Sequence, residues 1–126
     1  MRIAILADAR SIQEGKTLKT ALEDKASNVL LLKISEAWKN ERAALVDAML
    51  KDVSHMVFML NTSVLENSTW LPFFVGYARG KGRRIGLFRT DHAGIIPPWL
   101  SGLPLFDTAG ELSLYFEVEK EEWYIQ

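Results

Sequence analysis

The 126-residue chain is the size of one domain, too short for two cores and long enough for one. Apolar residues make up 48% and charged residues 25%, a balance that excludes a disordered chain, and a formal charge of −1 argues against a dedicated nucleic-acid binder. With no cysteine, disulfides, thiolate metal sites and cysteine nucleophiles are all excluded, which fits a cytoplasmic protein. No apolar run approaches the roughly 20 residues that span a bilayer, and the first strand-like segment is too short for a signal peptide, so no membrane partner is expected.

Taken in chain order, Arg2 to Ala7 is a short apolar run of the kind that forms a strand covered on both faces. Asp8 to Gly15 is polar and reads as a loop. Lys16 to Lys25 carries Leu18, Ala21 and Leu22 at helical spacing. Val29 to Ile34 is a second buried-type strand. Glu36 to Lys51 is the clearest helix, with Trp38, Leu45, Ala48 and Met49 on one stripe. Met56 to Leu60 is a third apolar run, and Asn61 to Asn67 a polar loop. Ser68 to Lys81 reads as a helix, with Pro72 near its first turn and glycines at its end. Arg84 to Phe88 is a fourth strand. A long loop, Thr90 to Gly102, leads to a short fifth strand in Leu103 to Phe106. Thr108 and Glu111 are spaced as a capping box that opens a final helix running toward Trp123.

Strands alternating with helices predict a single α/β domain over residues 1–126: a flavodoxin-like three-layer sandwich on a mostly parallel sheet of four or five strands. In such sheets ligands sit outside the carboxyl ends of the strands. Those ends are Asp8 to Gln13, Ser35, Asn61 to Ser68, and Arg89 to His92. The chain has neither the Gly-x-Gly-x-x-Gly of a dinucleotide fold nor a Walker A loop, and no metal-ligand spacing, so no cofactor or metal is expected. Asp8 lacks the acidic neighbour of a receiver domain, and Ala9 to Gln13 is a poor flavin-phosphate loop.

The most informative stretch is Ser68-Thr69-Trp70-Leu71-Pro72-Phe73-Phe74-Val75-Gly76-Tyr77-Ala78, followed by a Gly-Lys-Gly turn and a strand. Val75 to Ala78 with Gly80-Lys81 resembles the nucleoside 2-deoxyribosyltransferases, in which a Glu precedes an apolar residue, Gly, Tyr and Ala. Ser68-Thr69-Trp70 is similar to the start of the same helix in TIR domains, where the catalytic Glu comes four residues after the Trp. Both alignments place that Glu at Phe74. The resemblance covers most of the chain in element order and about twenty residues in motif. It implies a nucleoside, nucleotide or NAD-like ligand and an N-glycosidic reaction. A ribosyl cation needs a carboxylate beneath it, and Phe74 offers none, which implies weak or no cleavage. Glu66 is the nearest replacement catalyst in sequence, and Asp8 and Asp91 also fall on the strand-end edge.

The candidate ligand contacts are Asp8, Arg10, Asn61, Ser63, Ser68 and Trp70. Each has a plainer reading. Asn67, Ser68 and Thr69 are the residues expected to cap a helix. Asp8 and Arg10 suit a turn with a local ion pair. Trp70, Trp99, Phe73, Phe74 and Tyr77 suit a core. Arg79, Lys81, Arg83 and Arg84 lie at the opposite end of the sheet and suit a solvated turn. His55 falls at that end too, and His92 is a loop residue without a ligand set. Two other readings stand beside ligand binding. One is a protein-interaction module, a homo-oligomer whose four Trp and six Phe supply the interface. The other is an active hydrolase or transferase using Glu66.

Overall fold

The computed structural model describes residues 1–26, 28–35, 43–91 and 96–125. Strand β1 (Arg2–Ala7), helix α1 (Ile12–Glu23), β2 (Asn28–Lys33), α2 (Ala43–Leu50) and β3 (His55–Leu60) alternate along the chain. Two consecutive helices follow, α3 (Thr62–Asn67) and α4 (Trp70–Gly80), then β4 (Arg84–Arg89), a 3₁₀ turn (Pro98–Leu100), β5 (Leu105–Phe106) and α5 (Ala109–Ile125). The expected helix over Glu36 to Lys51 is seen from Ala43; its first part, with Trp38, lies outside the described residues, as does His92.

All five strands run parallel, in the order β2-β1-β3-β4-β5. This is the doubly wound, flavodoxin-like three-layer arrangement, and its strand order reverses between β1 and β3. The period of two along β1 sorts the core. Ala4 and Leu6 pack with β3, α2, α3 and α4 on one face, while Ile3, Ile5 and Ala7 pack with α1 and α5 on the other. Gly86 admits α5 to the sheet at close range. A Cβ there would lie 2.7 Å from Leu112 Cδ1 and 3.5 Å from Phe116 Cζ.

Helix α4 ends in a Schellman motif: Arg83 N–H donates to the Ala78 carbonyl (2.9 Å) and Gly82 N–H to that of Arg79 (3.2 Å). Gly82 takes the left-handed conformation the motif requires, φ 67°. The Gly-Lys-Gly segment thus stops the helix and aims the chain into β4. Two expectations are corrected. Asn61 to Asn67 is not a loop but carries α3, because Asn61 Oδ1 accepts from Val64 N–H (2.9 Å) and caps a helix there. The helix beginning at Ser68 is therefore preceded by another, and Ser68 sits between them, its Oγ accepting from Leu71 N–H (3.0 Å). In α1 the helix starts at Ile12, earlier than the apolar spacing indicates.

At the amino edge of the sheet, His55 is packed edge-on against Phe116, with ring centroids 4.5 Å apart, and its Nδ1 lies 2.8 Å from Ser54 Oγ. Burial, with the charges of the amino terminus and Arg84 adding to it, lowers its pKa from 6.5 to about 4. The native ring stays neutral where the unfolded one takes up a proton. Its contribution is therefore complete above pH 6.5 and is lost as pH falls toward 4. After discounting for solvent at a partly exposed ring, the loss is about 1–2 kcal/mol. Thermal melts of wild type and His55→Gln across that window should show the wild type losing more stability than the variant; parallel curves would refute the assignment.

Candidate functional site

The loops at the carboxyl ends of β1, β3 and β4 meet around a polar network. Asp8, which follows β1, is only 4% exposed. Its Oδ1 accepts from Ser11 N–H (3.1 Å) and from Asn61 Nδ2 (2.9 Å). The second hydrogen of the Asn61 amide goes to Ser11 Oγ (2.7 Å). Ser11 Oγ lies 3.2 Å from Thr90 Oγ1, which itself donates to the Leu60 carbonyl (3.0 Å). Thr90 has one hydroxyl hydrogen, so Ser11 must be the donor between the two. The bonds therefore run in one direction, from Asn61 through Ser11 and Thr90 to Leu60. Three strand ends are joined by side chains that leave neither the Asn61 amide nor the Ser11 hydroxyl unsatisfied.

Above this network lies a cavity of about 400 Å³ lined by Asp8, Arg10, Ser63, Val64, Asn67, Ser68, Thr69 and Trp70. The volume is at the small end of the range for ligand pockets. The cavity opens beside the β1/β3 reversal, where doubly wound sheets hold their ligands. Of the candidate contacts, Asp8, Arg10, Ser63, Ser68 and Trp70 come together on its wall. Asn61 does not line it; it lies behind Asp8 and holds that side chain in place. Arg10 is exposed, and among the described residues it forms no ion pair with Asp8, so the expected local ion pair is absent.

Glu66 lies within α3, exposed, and is not on the cavity wall. Asp91 is also off the wall: its Oδ2 accepts from Thr62 N–H and Oγ1, both at 3.3 Å, and so backs up the α3 cap. Phe74 is 1% exposed and turned into the core, with its ring edge-on to Trp70 at 6.2 Å and to Phe73 at 5.3 Å. Trp70 packs in the core at 3% exposure and also lines the cavity. Trp99 is exposed on the 3₁₀ turn, away from the wall.

Three residues of this site were not singled out from sequence. Ser11 and Thr90 are single hydroxyls in separate loops, and nothing in their spacing marks them. Val64 supplies the apolar part of the wall from α3. A second concavity of about 410 Å³, on the other face between α1, Phe88 and the start of α5, is the more open and mainly apolar, and contains no buried charged group. Tyr77 donates to Asp47 (3.0 Å), which holds that carboxyl below its usual range with Lys81 assisting; this ties α4 to α2 at the surface, not to the cavity. Arg84 opens β4, so the basic run lies at the far end of the sheet. Among the described residues no group of three or more His, Cys, Asp or Glu is arranged to hold a metal, and no helix is long and apolar enough to cross a membrane. Comparison with protein-family models, curated proteins and solved structures finds no match to this chain.

Proposed function

We propose that the chain is a degenerate domain of the nucleoside 2-deoxyribosyltransferase and TIR-like kind, which binds a nucleoside, nucleotide or NAD-like ligand at the strand carboxyl ends with weak or no N-glycosidic cleavage. The observation that carries this reading is the cavity at the β1/β3 reversal, lined by an aspartate, an arginine, hydroxyl residues, an asparagine and a tryptophan. Such a wall offers partners for sugar hydroxyls, a phosphate and a flat base together. Two placements support weak or no cleavage: Phe74 faces the core and Glu66 stands off the wall, which leaves Asp8 as the carboxylate on it.

The test is a thermal-shift panel of nucleosides, nucleotides and NAD at millimolar concentration, with chromatography for released base. A saturating ligand present at about a hundred times its Kd should stabilise by about 2.7 kcal/mol, a shift of several degrees. No shift with any of them overturns the binding reading. Base release that Glu66→Gln abolishes overturns the inactive reading and restores the hydrolase.

Self-association is a second reading, favoured by Leu45 and Met49, which are exposed one turn apart on α2. Sedimentation of wild type and Leu45→Glu decides it: a monomer at every concentration removes the homo-oligomer.

A further inference from the structure

Asp8 is nine-tenths buried, yet its hydrogen bonding is one-sided. Ser11 N–H and the Asn61 amide both go to Oδ1. Its other oxygen, Oδ2, has no hydrogen-bond partner among the described residues, and the side chain borders the cavity. That oxygen is not among the buried unpartnered atoms but stays accessible at the cavity, where a ligand hydroxyl or water can supply the donor. The network behind it also removes the usual freedom of an aspartate to rotate and share its oxygens. Oδ1 is held from two sides, and the Asn61 amide is itself fixed by Ser11 and by the α3 cap.

We infer that Asp8 determines what this cavity accepts: Oδ2 takes a hydrogen bond from a secondary hydroxyl of the ligand's sugar ring, and Asn61 is the positioning residue that aims it. The inference rests on the proposed nucleoside-type ligand and says which part of it is read. The chemistry next to Asp8 suits a hydroxyl. A phosphate oxygen has no proton to offer at neutral pH and is repelled by the carboxylate, so a ligand phosphate belongs toward Arg10, which is free of partners among the described residues. The remaining wall near Asp8, Ser63 with Ser68 and Asn67, is neutral and polar, which fits a sugar better than an ammonium group.

The experiment compares adenosine with 2′,3′-dideoxyadenosine by calorimetric titration of wild type and Asp8→Asn. Asparagine keeps the shape, holds its carbonyl toward Ser11 N–H and turns an N–H donor to the cavity. Wild type should prefer adenosine at least tenfold, and Asp8→Asn should reduce that preference to less than threefold. Asn61→Ser, which frees Asp8 without removing it, should weaken adenosine binding while leaving a residual preference. If wild type binds both nucleosides equally, the inference fails, whatever the variants do. If the tenfold preference survives in Asp8→Asn, the hydroxyls are read elsewhere and it also fails. If wild type binds no nucleoside, nucleotide or NAD, the underlying functional reading has failed, a result distinct from the other two. Should Asp8→Asn not fold, Asn61→Ser decides in its place: adenosine binding as tight as in wild type overturns the inference.

Discussion

Replacing Phe74 with glutamate is expected to destabilise the protein by about 4–6 kcal/mol and to restore no cleavage of nucleosides. Removing the ring forfeits the burial of a core phenylalanine, about 3–5 kcal/mol on large-to-small precedent. The carboxyl that replaces it enters an apolar cluster with Trp70, Leu71 and Val75 and must be protonated or pull the helix open. Domains of this size carry about 5–15 kcal/mol in total, so the variant should melt far below wild type and sit near the edge of folding. Phe74→Met, close in volume, should lose less than about 1.5 kcal/mol. Urea unfolding of the three proteins measures both effects. A stable Phe74→Glu protein that releases free base would mean that this side chain reaches the cavity, and the reading of the position as core would be wrong.

Asn61→Leu should be the most damaging change at the site itself, at about 3–5 kcal/mol. One side chain makes three bonds: to the carboxylate of Asp8, to Ser11 Oγ and from Val64 N–H. The bond to a charged acceptor is worth about 1.5–3 kcal/mol and the helix cap about 1 kcal/mol, and leucine leaves their partners buried and unmet. Asn61→Asp makes a sharper test. It sets a second carboxyl where an amide now touches Asp8, and two carboxylates at that distance raise the pKa of one of them. A raised native pKa means stability that is present at low pH and lost as pH rises through it. Asn61→Asp should therefore approach wild-type stability near pH 4 and fall away toward pH 8. A pH-independent deficit would show that Asn61 and Asp8 are not in contact.

The elements were legible because their signals are local. Strand β1 lies at Arg2–Ala7, where its apolar run stands, and the Thr108 and Glu111 pair marks the last helix, with Glu111 N–H donating to Thr108 Oγ1 (3.2 Å). The error between Asn61 and Asn67 has a simple origin. Thr62, Ser63, Glu66 and Asn67 lower the apolar count of a six-residue helix that buries only Val64, and a single turn and a half of amphipathic pattern is too short to stand out. The candidate contacts were legible for a different reason: once the alternation of strands and helices sets a parallel sheet, residues just past the carboxyl ends must share one edge.

By itself the sequence determined the parallel sheet, the strand-end location of Asp8, Arg10, Ser63, Ser68 and Trp70, and the absence of cysteine chemistry. Each of these follows from periodicity, order or composition, which are properties of the chain alone. Only the tertiary structure decided that Asn61 stands behind Asp8, that Ser11 and Thr90 complete the network, and that Glu66 stands off the cavity while Phe74 fills the core. Ser11 and Thr90 are 79 residues apart. A hydrogen bond depends on direction and on tenths of an ångström, and side chains so distant in sequence acquire both only when the strands that carry them lie side by side.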